Sequence, residues 1–393
     1  MELVIFNSLL YNSTFLIYWL KRRKIDAGFV LLGIYAAISI ASVFLYAENP
    51  EKWRLQLWPF LYLYFVCMLF FTPFFFNSDL LYHKLVYRKL WFLKSFTIFY
   101  IACGLVSIYY SANEAMINIT SGEWSSLRNE LYKGEVRNYN NQLERLAEIV
   151  IIYFRPLAII AFFYYLSSRK IKLFNVYLLG LAIIVPTFLL AINTASRGII
   201  VSLSVALLIG FILFKEGLSH KIKKALIIFS FIFIALFLIY SIAVTISRFG
   251  ENSQASSLLE YFGISMLAFN YGMVDSIHTF GNGSYFFDWF LPFFGQNSFD
   301  TSTIGTHFGT SFFTFVGAWY LDFGPIGTVL IAIFLPLFIG SRFRYTQRID
   351  FADLFLFLFY LNYLIMGVFV IGRGNSLAWI ITFTIYGILK LIR

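Results

Sequence analysis

Four arginines stand where a charge is costly. Arg155 lies in "IIYFRPLAII", Arg197 in "NTASRGIIVSLSVALL", Arg248 in "TISRFG" and Arg373 in "VIGRGNS". Each sits at or near the end of a long apolar run. A guanidinium stays charged at any biological pH and meets phosphate oxygens two at a time. Arg197 also opens a run with helical character, and the free N–H groups and dipole of a helix start attract anions. Arg197 and Arg373 are each followed by glycine, which permits close backbone approach to a ligand. A single arginine near a helix end can simply reach up to water. Four at similar depth, from distant parts of the chain, point to a shared ligand. The chemistry expected is an anionic, phosphate-bearing group held at the membrane edge. A lipid pyrophosphate suits, because its tail can remain in the bilayer.

The elements that would position these residues are membrane helices. Of the 393 residues, 60% are hydrophobic and 13% charged, against nearer half and a quarter in a soluble domain. Apolar runs of bilayer length recur at about 3–20, 27–47, 57–76, 91–110, 148–166, 173–193, 198–214, 225–246, 313–340, 351–371 and 376–390. The reading is an all-α polytopic integral membrane protein with about eleven transmembrane helices (10–12) and one integral domain over 1–393. The first run carries Glu2 and is followed by "KRRK" at 21–24, so the basic cluster is on the wrong side for a cleaved signal. It reads as a retained span.

Basic clusters follow the odd-numbered runs, and that side holds 20 of the 30 Lys and Arg. Positive-inside logic puts the N-terminus outside and the C-terminus in the cytoplasm. The formal charge of +10 thus reports topology and not a nucleic-acid partner. Two connections on the outer side are long. The first, 111–147, is expected to form a hairpin of amphipathic helices at the membrane surface, with Trp124, Leu127 and Leu131 on one apolar face and Leu143, Leu146 and Val150 on the other. The alternative is a lid over a cavity. The second, 247–312, mixes aromatics with amides and carboxylates. It suits a sugar-binding cleft, in which rings stack on sugar faces, and equally a loop anchored at the interface by its aromatics.

No HExxH, CxxC or GxSxG is present, nor a phosphate-binding loop. His83 and His220 fall on the basic side; His278 and His307 fall in the second long connection, without a metal-ligand partner at helical spacing. No metal and no cofactor is expected. Cys67 and Cys103 lie inside apolar runs and read as unpaired thiols. Asp322, in "YLDFGPIG", lies about three turns into the ninth run. A buried carboxylate needs a partner. It either pairs with an outer arginine or caps a kink made with Gly324 and Pro325.

Ser196-Arg197-Gly198, a large outer connection and then "YLDFGPIG" at Tyr320 to Gly327 together resemble the O-antigen polymerase family, the repeat-unit polymerases of bacterial envelopes. That family is similar to the C-type glycosyltransferases. The resemblance implies a metal-independent glycosyltransferase acting at the periplasmic face. Its donor would be a glycan on undecaprenyl pyrophosphate, and its acceptor a fresh lipid-linked repeat unit. A chain-length regulator is the further partner such an enzyme would take, alongside membrane lipid. The arginines Arg197, Arg248, Arg373 and Arg155 would then grip the leaving pyrophosphate. His307, Asp275 and His278 are the candidates for a general base on the acceptor hydroxyl. The related ligases share the Arg-Gly start, but their functional histidine falls where this chain has Phe313, six residues after His307. An O-antigen ligase and a non-enzymatic flippase of lipid-linked oligosaccharides are the alternatives.

Overall fold

A computed structural model describes residues 1–77, 90–127, 141–168, 173–249, 254–275, 280–288, 290–294, 313–344, 349–368 and 375–392. Its long elements are α1 (Glu2–Arg22), α2 (Ala27–Glu48), α3 (Leu57–Asn77), α4 (Leu90–Ser121), α5 (Gln142–Tyr153), α6 (Arg155–Ser168) and α7 (Leu173–Asn193). They continue with α8 (Arg197–Phe214), α9 (His220–Phe249), α10 (Gln254–Asp275), α11 (Phe315–Arg344), α12 (Phe351–Met366) and α13 (Asn375–Leu391). No β-strand occurs among the described residues. Hydrocarbon offers no water to backbone N–H and C=O groups, so a chain this apolar satisfies them within helices.

Among the described residues, eight helices (α1 to α4, α7, α8, α9 and α11) are long and apolar enough to cross a membrane; α5 and α6, bent by 61° where they meet, would make a ninth. Helices α12 and α13 are apolar but shorter. The chain is a multi-pass membrane protein, and each of the expected apolar runs carries one of these elements. One difference concerns the first long connection: helix α4 runs on to Ser121, past the expected end of its run near 110. The second connection contains the 22-residue helix α10, over the stretch 258–274 where the sequence allows a helix or a re-entrant piece.

The described contacts divide the chain into two compact units. The first comprises Met1–Leu81, Ala255–Ile349 and Phe359–Ile388. In it α1 packs along α2, and α3 along α11. The α1–α2 turn is set by Arg23 in the left-handed region (φ 50°) and by Asp26, which caps α2 by accepting the Phe29 N–H at 2.8 Å and also takes the Tyr18 hydroxyl. Helix α10 is buried in this unit and not laid on a surface. Its Ile264 and Leu267 join Val4, Leu45, Trp53 and Phe60 in one apolar cluster. Ser42 on α2 donates to the Gly263 carbonyl at 2.7 Å, and Asn270 exchanges two hydrogen bonds with the Gln56 backbone, at 2.7 and 2.9 Å.

The second unit comprises Tyr82–Gln254, Asp350–Leu358 and Leu389–Arg393. Helix α4 packs along α5 and α7, and α8 against α6 and α7. Lys390 ties the last turn of α13 to the start of α12, with its Nζ 2.8 Å from both Asp350 and Asp353. Asp353 is almost fully buried. Burial alone would raise the Asp350 carboxyl. The hydrogen bonds from Lys390 and from the Asp353 N–H outweigh it and hold this carboxyl below the ordinary carboxylate range.

Removing the ammonium strands two carboxylates together. Lys390→Met should cost about 3 kcal/mol and lower the thermal midpoint of the detergent-solubilised protein at pH 7 by several degrees. Because the folded-state value of Asp350 is depressed, its stabilisation is complete above the unfolded carboxylate value near pH ~4 and is lost as acid carries the pH down through the folded value. An unchanged midpoint in the variant would show that the clamp holds nothing.

Candidate functional site

Helices α4, α7, α8 and α9 bring polar side chains together at one end of the second unit. Asn193, the last residue of α7, donates to the Ser111 carbonyl at 3.1 Å and to Glu114 Oε2 at 3.0 Å, and accepts from Asn118 at 3.3 Å. Tyr240 on α9 donates to the Ala191 carbonyl at 2.7 Å. These bonds frame the turn between α7 and α8. There Ala195 takes a positive φ of 45°, and its buried methyl packs with Trp124 and Val244. The turn delivers Arg197 to the first position of α8, where Nη1 donates to Thr245 Oγ1 of α9 at 2.7 Å.

Arg155 arrives by a different route. Pro156 has no N–H, and its ring clashes with the carbonyl four residues back, so the helix breaks beside it and bends by 61°. Arg155 opens the new helix, α6. Its Nη2 donates to Ser202 Oγ on α8 at 3.1 Å. Tyr100 stands beside it and donates its hydroxyl to the Ile151 carbonyl at 3.2 Å. Ser202 follows Arg197 by five residues, roughly 7.5 Å along a helix. Arg155 therefore meets α8 about a turn and a half below Arg197, instead of at the expected common depth. The two guanidiniums share one helix as their neighbour, and no acidic residue stands in the first turn of either α6 or α8.

The buried face of α5 differs from the expected one. Glu144 and Glu148, 2% and 8% exposed, lie inside with Ala147 and Ile151, whereas Leu143 and Leu146 are 56% and 60% exposed. The spacing Glu144, Glu148, Ile151, Arg155 is a helical stripe, and it carries two carboxylates toward the break that starts Arg155. Lipid reverses the usual rule: apolar side chains face out and ionisable ones face the bundle. The i, i+4 spacing of Glu144 and Glu148 is legible in the sequence; which face they turn to is not.

Of the other candidates, Arg248 lies in the last turn of α9, three residues beyond Thr245, and its side chain falls outside the described residues. Asp275 ends α10, likewise with an undescribed side chain. His278, His307 and Arg373 lie outside the described residues. Among those described, no group of histidine, cysteine or carboxylate side chains could hold a metal ion.

Asp322 organises the first unit. Pro325 cannot donate to the Leu321 carbonyl, so the helical ladder of α11 lapses there. Gly324 adopts φ 66°, ψ −175°, a conformation reserved for glycine. The turn from Gly281 to Phe286 supplies the missing donors: Gly281 N–H to the Leu321 carbonyl at 3.0 Å and Asn282 N–H to the Asp322 carbonyl at 2.7 Å. The fully buried Asp322 carboxylate then accepts the N–H groups of Gly283 (2.8 Å), Tyr285 (3.2 Å) and Phe286 (2.9 Å). Of its two expected roles, the one at the kink is what these partners fulfil. A Cβ on Gly281 would fall 2.4 Å from Asp322 Oδ1, so only glycine permits this approach. The result is a turn that sets Phe286 on Trp319, with ring centroids 4.3 Å apart.

Asp322→Asn leaves one acceptor oxygen for three donors and should cost about 1–3 kcal/mol for each N–H stranded. Hydrogen exchange at the Gly283, Tyr285 and Phe286 amides should then accelerate at least tenfold (about 1.4 kcal/mol by the conversion at 25 °C). Protection equal to wild type would mean that the carboxylate does not hold the turn.

Comparison of the chain with protein-family models, with curated proteins and with solved structures finds no match. The likeness to the O-antigen polymerases rests on the residues quoted from the sequence.

Proposed function

We propose that this protein polymerises oligosaccharide repeat units carried on a polyprenyl pyrophosphate, at the periplasmic face of a bacterial inner membrane. What supports the reading is that Arg155 bonds to α8, the helix that Arg197 begins. Two guanidiniums begin two helices of the same unit, each fixed by a hydroxyl, Ser202 for one and Thr245 for the other. Helix starts and guanidiniums both favour an anion, and their effects add. A depth difference of about a turn and a half suits a diphosphate better than a single phosphate.

In the reaction, an acceptor hydroxyl attacks the anomeric carbon of the donor glycan. The bond to the pyrophosphate oxygen breaks, and the charge released falls on phosphate oxygens. Arg155 and Arg197 stabilise that charge in surroundings of low dielectric, where fixed cations act most strongly. A base near the acceptor takes the hydroxyl proton; His307, Asp275 and His278 remain the candidates. Polymerisation is favoured over ligation at one position. Phe313, where the ligases would have their histidine, is a buried ring packed against Tyr285 and carries no proton. With eleven crossings and a periplasmic N-terminus, both arginine-bearing helix starts would lie at the outer leaflet.

A transporter reading has its own support. The α5–α6 bend and the break at Gly324 are discontinuous helices of the kind that transporters use at their substrate sites. Purified protein in detergent, with no second compartment, separates the two, since only an enzyme lengthens lipid-linked glycan there.

Arg197→Ala and Arg155→Ala should each leave the protein in the membrane and lower the rate of glycan elongation by about a hundredfold or more. Arg197→Lys keeps the charge but loses the forked geometry, and should fall between. Loss of the gene should leave single repeats on lipid; long unattached chains would identify a ligase instead. Wild-type chain lengths in both alanine variants would end the assignment of the site.

A further inference from the structure

Two basic helix ends meet in the first unit. Arg22, in the last turn of α1, donates to the Phe75 carbonyl near the end of α3, and Tyr18, one turn earlier, reaches the Phe74 carbonyl at 3.4 Å. Helix α11 packs along the same α3, and a Cβ on its Gly340 would stand 3.8 Å from Pro73. The C-terminal ends of α1 and α11 therefore both abut the last two turns of α3, although they are far apart in the chain. Together they bring Lys21, Arg22, Arg23, Lys24 and Arg342 to that end, and all but Arg22 are exposed. The one acid of the α1–α2 turn, Asp26, is buried and caps α2. Among the described residues no carboxylate pairs with Lys21 or Arg23. Arg23 takes φ 50°, where glycine is the ordinary residue, so a guanidinium is presented from a backbone position that disfavours it.

The surface just before these cations is apolar on both helices. Ile17, Trp19 and Leu20 of α1 and Leu337 of α11 are exposed, Leu20 by 66% and Leu337 by 62%. Both helices are long enough to span a bilayer, so these side chains face hydrocarbon and the cations stand at headgroup level, where tryptophan also settles. A soluble anion would meet only the cations. A zwitterionic lipid brings a phosphate together with its own ammonium. An anionic phospholipid matches both surfaces: its acyl chains lie along the apolar side chains and its net negative phosphate sits among the cations. Orienting a span requires only that basic residues follow it in the sequence. It does not require two such ends to meet over a third helix. We propose that the ends of α1 and α11 form a binding site for an anionic phospholipid, with Arg23 and Arg342 as its principal cations. The site is independent of the glycan chemistry proposed for the arginines of the second unit.

The test titrates the full chain in detergent with phosphatidylglycerol, phosphatidylcholine and glycerol phosphate, and follows what is retained by native mass spectrometry. Wild type should bind phosphatidylglycerol about tenfold more tightly than phosphatidylcholine and should not retain glycerol phosphate. Arg23→Gly removes a cation and gives the left-handed position its preferred residue, so the thermal midpoint without lipid should not fall. Arg342→Gln probes the other helix. Each should weaken phosphatidylglycerol about fivefold and leave phosphatidylcholine unchanged. Lys224→Gln, which removes an exposed cation of the second unit, should change neither. Equal retention of the two lipids by wild type overturns the site. So does unchanged binding in either arginine variant, since the two helix ends would then share no ligand. Weakening by Lys224→Gln as large as that of the arginine variants would reduce the effect to net charge, and tight binding of glycerol phosphate would make the ligand a free phosphate; either result also overturns the site.

Discussion

Hydrocarbon cannot hydrogen-bond, and everything in this protein answers to that constraint. Each backbone N–H and C=O inside the bilayer needs a partner from the chain itself, and helices supply it without help from distant residues. Where a proline removes a donor, the partner must come from elsewhere. At Pro325 it comes from the Gly281–Phe286 passage, which lends its N–H groups to Leu321 and Asp322. A defect in one helix is thus the socket for a connection, and the carboxylate beside it accepts three further donors.

The same constraint sorts the side chains. On α5 the leucines turn outward and Glu144 and Glu148 turn in, the reverse of a helix resting on a water-facing surface. On α6 and α8 the arginines are paired with hydroxyls on a neighbouring helix. A hydroxyl costs less to bury than a carboxylate. Both helix breaks shape what lies beside them: Pro156 starts the helix that bears Arg155, and Pro325 creates the seat for the turn that meets Trp319.

Much of the helical layout was legible because apolar runs of bilayer length have few other solutions. The arginines were legible for a related reason, since charge at the end of such a run has to be accommodated. What the pattern did not reveal was partnership. Arg155 bonds to Ser202 on α8, and Arg197, which begins α8, bonds to Thr245 on α9; those hydroxyls carry no signal of their own.

By itself the amino-acid sequence determined that the chain is helical, crosses a membrane several times and places arginines at the ends of apolar runs; these follow from hydrophobicity and charge, which each residue carries wherever it goes. Tertiary structure alone decided which face of α5 is buried, that α10 is a core helix, and that Asp322 serves a backbone turn. Those outcomes depend on which groups meet across hundreds of residues, and the energy of a hydrogen bond exists only once both partners are in place.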